Sequence, residues 1–250
     1  MANPVLNDTL FKKSAAVFTE SGTMTVKGTM TKALLLLLLV IAAGAYTWKI
    51  FYEAINPASI SGWMWGGVIV GFICAMVISF KPNTAPFLSP VYAAAEGLVL
   101  GAVSAIYNSA FAETAPNIIS NAVILTLLCA LVMLTIYRTG IIKVNGTFAR
   151  VITVSLITIF IFYMGSMLLS MFGVNLEILH GSSPLSIGIS VLIVGIAAFS
   201  LLMDYKFIEQ ASVMGAPKQM EWYGAFGLMV TLVWLYLEIL KLLGKINSRE

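Results

Sequence analysis

Residues 33–52 read ALLLLLLVIAAGAYTWKIFY, twenty positions with one charged side chain, Lys49. An α-helix rises about 1.5 Å per residue, so about 20 apolar residues cross a hydrocarbon core of roughly 30 Å. The stretch therefore predicts a membrane-spanning helix, and the remaining composition agrees. Of 250 residues, 60% are hydrophobic and 10% charged, with a mean hydropathy of +0.96. A soluble domain carries about 25% charged residues. Fourteen basic and eleven acidic side chains cannot coat a core of this size, so the bilayer is the expected solvent.

Six further stretches have the length and apolarity of a span: 62–80, 91–112, 118–137, 151–172, 185–203 and 222–243. None alternates apolar and polar residues as a barrel strand would. Breakers fall between them, among them Asn56-Pro57, Pro82, Pro116, Asn145-Gly146, Pro184 and Gly215 with Pro217. The expected fold is all-α: a polytopic membrane protein with a polar tail over 1–32, seven transmembrane helices over 33–243 and a short tail over 244–250. Residues 1–32 lack the apolar core and cleavage site of a signal peptide, so the first span is expected to stay in the protein.

With seven spans, ten of the fourteen cations fall on one side: Lys12, Lys13, Lys27, Lys32, Lys81, Arg138, Lys143, Arg150, Lys206 and Lys218. The positive-inside rule then makes the amino terminus cytoplasmic and the carboxyl terminus external. Six spans plus a re-entrant seventh segment is the alternative, because Lys241, Lys245 and Arg249 crowd the last span.

The net charge of +3 comes from scattered loop lysines, with no basic stripe for nucleic acid. Cys74 and Cys129 both lie inside apolar runs, so no disulfide is expected. The single histidine, His180, sits in a loop beside Gly181 with no partner in sequence for zinc, haem or Ser-His chemistry. Neither an enzyme nor a cofactor site is predicted.

Charged groups inside spans are the informative residues, because lipid tolerates them mainly for function. Glu96 lies five residues into the third span, about 8 Å below its end. It reads either as a packing residue beside Gly97 or as a functional acid with a polar partner on a neighbouring helix. Asp204 follows Met203 at the end of the sixth span, as a site or as a solvated cap. Glu238, in the seventh span, has Lys241 three residues on, so a local ion pair competes with a functional reading. Lys81 ends the second span, where it can snorkel to headgroups or reach a carboxylate. Gly62, Gly66, Gly67, Gly71, Gly97 and Gly101 include GxxxG spacings expected to bring the second and third helices close to their neighbours.

The residues together resemble the Bax-inhibitor-type (transmembrane Bax inhibitor motif, YccA-like) membrane proteins of the prokaryotic branch. The likeness runs through Met24 to Thr29, through Pro82 to Tyr107 with Tyr92, Glu96, Gly97 and Gly101, through Asp204, and through Met220-Glu221-Trp222-Tyr223 to Leu235-Tyr236-Leu237-Glu238. It implies six helices around a central seventh in a prokaryotic cell membrane, and a pH-sensitive calcium leak. It places the family's carboxylate pair on Asp204 and Glu238, its basic latch on Lys81 and its Glu-Gly on Glu96 and Gly97. The pair here is Asp and Glu rather than Asp and Asp, and its spacing is about ten residues longer than the family's. As a plain seventh helix, residues 222–238 put Glu238 about 24 Å from the cytoplasmic start, so the two acids meet only if the chain after Asp204 continues as helix and folds back.

Two close carboxylates in low dielectric cannot both ionise cheaply, which makes such a pair a proton switch. Ionised, they would attract calcium or another cation, since calcium takes oxygen ligands. The resemblance therefore implies a pH-sensitive cation leak gated by Asp204, Glu238 and Glu96, with the lipid bilayer and the ion as partners. The rival readings are a non-conducting regulator bound to a membrane protease or channel through the polar tail, and a proton-coupled transporter.

Overall fold

The computed structural model describes residues 22–53, 60–173 and 181–248. His180, Arg249 and the tail before Gly22 lie outside the described residues. Among the described residues, seven helices are long and apolar enough to cross a membrane. They are α1 (Val26–Glu53), α2 (Ser61–Phe80), α3 (Ala85–Ala110, after a 3-10 turn at Pro82–Thr84), α4 (Ile118–Thr139), α5 (Gly146–Met171), α6 (Pro184–Val213) and α7 (Met220–Asn247). The sequence placed all seven.

Their ends differ from the apolar runs for local reasons. Helix α1 begins at Val26 rather than at residue 33, because the Thr25 hydroxyl accepts the Gly28 N–H at 3.0 Å and caps the first turn. Residues 26–32 are thus helix rather than tail. Helix α3 begins at Ala85 and carries Pro90 inside it. The largest difference is α6, expected to stop at Met203 but helical to Val213. Its continuation buries Ile208 and Ala211, apolar positions one turn apart that give these residues a face to pack. It then ends on Gly215 at φ +70°, with the Ala216 N–H reaching back to the Ala211 carbonyl at 3.0 Å. This six-to-one closure needs a left-handed residue, which glycine supplies at little cost.

Packing divides the described residues into two units. One holds those up to Ser109 together with Lys206–Val230; the other holds Ala110–Tyr205 and those from Thr231 on. In the first unit, α1 and α3 cross at glycine. A Cβ on Gly97 or Gly101 would overlap the α1 backbone at Val40 or Gly44, and the Thr47 hydroxyl donates to the Leu98 carbonyl at 3.0 Å. Helix α2 meets α3 at Gly67, where a Cβ would lie 2.7 Å from the Ala95 carbonyl. Gly62 and Gly66 meet nothing within 4 Å, so only part of the GxxxG pattern makes contacts. The segment before α1 is tied to the α6–α7 turn: the Met24 N–H donates to the Ala216 carbonyl at 2.7 Å, and the Lys218 N–H to the Gly22 carbonyl at 3.1 Å.

In the second unit, the Tyr205 hydroxyl donates to the Ala130 carbonyl at 3.1 Å, and Phe148 meets Phe199 edge to face. Helix α7 contributes to both units, and its most apolar stretch is 50% buried against 17% for α1, α4 and α5. Leu228, Met229, Leu232, Val233, Leu235, Tyr236, Ile239 and Leu240 are all buried and share one side of α7, while Gly227, Val230, Trp234, Leu237 and Lys241 form a more exposed stripe on the other.

The glycine crossing is open to measurement. Gly101→Ala is expected to destabilise the protein by about 1–3 kcal/mol through overpacking. Gly66→Ala, with open space around it, should be neutral or gain up to about 1 kcal/mol of helix propensity. Thermal unfolding of purified protein in detergent, with a midpoint for Gly101→Ala no lower than that of Gly66→Ala, would contradict the close approach.

Candidate functional site

Asp204 lies within α6, about 13 Å by helical rise before the helix ends at Val213. It is therefore no helix cap. The residue is half-buried, and its Oδ2 is shut from solvent with no hydrogen-bond partner among the described residues. The Thr231 hydroxyl hydrogen-bonds the carboxylate. The pairing follows from hairpin register: Asp204 stands nine residues before the end of α6, and Thr231 eleven after the start of α7. The lengthened α6 thus carries the chain out and back so that these two positions face one another.

Glu238 is 2% exposed and fully engaged. The Tyr163 hydroxyl lies 3.0 and 2.9 Å from its two oxygens, the Trp234 indole N–H donates at 3.1 Å, and the Lys241 ammonium lies 3.0 Å away. Lys241 also sits over the Tyr163 ring, 4.8 Å from its centroid. One turn further on, Lys245 donates to the Ser186 and Ser190 hydroxyls at 2.9 and 2.8 Å. The local ion pair read from the sequence is present, joined by a phenol and an indole from the same unit. A carboxylate removed from water needs such additional donors to be tolerated.

Asp204 and Glu238 share no hydrogen-bond partner among the described residues. Thr231, which bonds Asp204, precedes Glu238 by seven positions, about 10 Å along α7. Glu96 is half-buried, and its hydrogen-bond partner is Tyr92, one turn earlier on α3 rather than on a neighbouring helix. Helix α2 approaches it through Gly71, where a Cβ would lie 3.3 Å from the Glu96 Oε1. The Tyr92 ring packs edge to face on Phe226 at 4.9 Å. Lys81 is exposed; its backbone closes the corner between α2 and α3, the N–H on Val77 and the carbonyl accepting from Thr84.

A fourth acid, quoted in the resemblance but given no role, is the most thoroughly paired. Glu221, 0% exposed, accepts the Thr25 N–H and hydroxyl at 2.9 Å each and the Lys218 ammonium at 2.8 Å, and also pairs with Lys32. Gly28 faces the carboxylate so closely that a Cβ there would overlap it. The signal for this clasp was the presence of Lys32 and Lys218 near span ends that also carry Glu221. For Glu238 the missed signal was Tyr163, a hydroxyl within an otherwise apolar Phe160-Ile161-Phe162 run that needs a partner in lipid.

Among the described residues no three of His, Cys, Asp and Glu converge as a metal-holding group. The arrangement offers instead one buried carboxylate with a free oxygen, and two carboxylates locked in ion pairs. A family model described as Bax inhibitor 1 like matches residues 3–248 of the chain. No curated protein and no solved structure matches it.

The cage around Glu238 predicts its own energetics. Glu238→Gln replaces a charged acceptor by a neutral amide beside a half-exposed Lys241 and is expected to cost about 1.5–3 kcal/mol. Tyr163→Phe removes one neutral donor, at about 1–2 kcal/mol. Because both act on one network, the double variant should lose less than the two losses added. Unfolding midpoints of the three variants that add without interaction would show that Tyr163 and Glu238 do not act together.

Proposed function

Because the chain belongs to the Bax inhibitor 1 like family, we propose that this integral membrane protein is a pH-sensitive cation leak, calcium its best-suited ion, with Asp204 as the proton sensor. The observation that carries the reading is the Asp204 Oδ2, a buried carboxylate oxygen with no hydrogen-bond partner among the described residues. An orphaned buried acceptor is costly, and two changes relieve it. Protonation turns an acceptor into a donor, and a cation supplies the missing positive charge. A group that either a proton or a cation completes couples the two, which is the requirement for a leak that responds to pH. Calcium suits it because hard divalent cations take oxygen ligands.

The other acids then have separate duties. Glu238, held by Tyr163, Trp234 and Lys241, acts as a fixed structural charge pair in place of a titrating partner of Asp204. Glu96, beside Tyr92 and Gly71, is a second acid along the pathway, and Lys81 at the α2 corner is the latch cation. The amino terminus is placed on the cytoplasmic side, where the positive-inside bias puts the more cationic face.

Calcium entry into vesicles containing the purified protein tests the reading. Wild-type flux should change several-fold between about pH 5 and about pH 8, a range above that of ordinary surface carboxyl groups and one that burial opens to them. Asp204→Asn cannot titrate, so its flux should be nearly constant across that range, whereas Glu96→Gln should alter the rate. Wild-type flux equal to that of protein-free vesicles would sink the leak and favour a non-conducting regulator bound to another membrane protein. Orientation is tested separately: Ser182→Cys should react with an impermeant thiol reagent from outside the cell, and labelling only from the cytoplasmic side would reverse the topology.

A further inference from the structure

The Glu221 clasp forms one wall of a cleft that the leak mechanism does not use. Thr25, Lys27, Thr31, Lys32, Leu35, Lys218 and Trp222 line it with Gly28 and Glu221. Three lysines thus share the cleft with one carboxylate. Lys32 and Lys218 each spend one of three donors on Glu221. Lys27 is exposed, and its ammonium has no ion pair among the described residues. The cleft therefore has a surplus of positive charge and of unused N–H donors, the chemistry that holds a phosphate.

Its shape selects the source of that phosphate. Lys27, Thr31 and Leu35 are all exposed and recur every fourth residue, so they form one stripe down α1. Along about 12 Å of helix the stripe passes from an ammonium through a hydroxyl to a leucine. Leu34 and Leu38, 64% and 62% exposed, continue the apolar surface beyond it. Charge at one end and hydrocarbon at the other match a lipid headgroup above its acyl chains. Trp222, whose ring lies 5.6 Å from the Lys32 ammonium, is the residue type that settles at headgroup depth.

We propose that this cleft binds the phosphate of an anionic phospholipid, with Lys27, Lys32 and Lys218 around the phosphate and Leu35 against the acyl chain. Occupancy would place a ligand directly on the junction between the start of α1 and the α6–α7 turn.

Native mass spectrometry of the full-length protein in detergent, titrated with dioleoylphosphatidylglycerol or dioleoylphosphatidylcholine, tests the proposal. Wild type should retain the anionic lipid and not the zwitterionic one. Lys27→Gln should weaken retention about five-fold, the effect of one lysine at an anionic surface. Leu35→Ser should weaken it as well, and millimolar inorganic phosphate should not displace the lipid. Both side chains are exposed and lie outside the clasp, so unfolding midpoints should match wild type and separate a lost ligand from a lost fold. Equal retention by wild type and Lys27→Gln, or equal retention of the two lipids, overturns the site. Displacement by inorganic phosphate with Leu35→Ser unaffected overturns the lipid assignment in favour of free phosphate. Either result leaves the Asp204 flux assay untouched.

Discussion

A carboxylate taken out of water must find its hydrogen bonds and counter-charge within the protein, and this requirement organises the molecule. Hydrocarbon offers no donors, so backbone groups close on themselves as helices and side-chain acids recruit what lies within reach. Glu221 draws together a loop threonine and two lysines that are far apart in the chain. Glu238 collects a phenol, an indole and an ammonium. Asp204, with a single threonine and an unpartnered oxygen, breaks the rule. That contrast singles it out more sharply than depth or position would.

The helices were legible in the sequence because span length is a one-dimensional property: runs such as 33–52 and 118–137 announce themselves by apolarity alone. Helix ends were less so, since an apolar run marks where lipid begins and a helix stops where its last carbonyls are satisfied. Residues 204–213 carry Asp, Lys, Glu and Gln and read as a loop, yet Ile208 and Ala211 make them the buried face of a longer α6. The same extension sets the hairpin register that gives Asp204 a threonine for a partner. The two-acid site implied by the resemblance depended on that register, which no count of residues could fix.

Side-chain networks were legible only where they were local. The Glu238–Lys241 pair follows from spacing on one helix, whereas Tyr163 joins it from 75 residues away. For Glu96 the sequence leaves open a packing role beside Gly97 and a polar partner on a neighbouring helix, and the partner described is Tyr92, one turn back on α3. The small residue that faces Glu96 from α2, Gly71, explains why no second side chain reaches it from there.

The clasp also imposes an order on biosynthesis. Lys32 and Glu221 are separated by 189 positions, so at roughly 5–20 residues per second the lysine waits some ten to forty seconds for its acid to be made. Throughout that interval the start of α1 carries uncompensated positive charge, while the insertion machinery is deciding which end of each span to retain. Charge neutralisation arrives only after six helices have been committed. The same lysine can thus serve first as an address, while bare, and afterwards as a rivet.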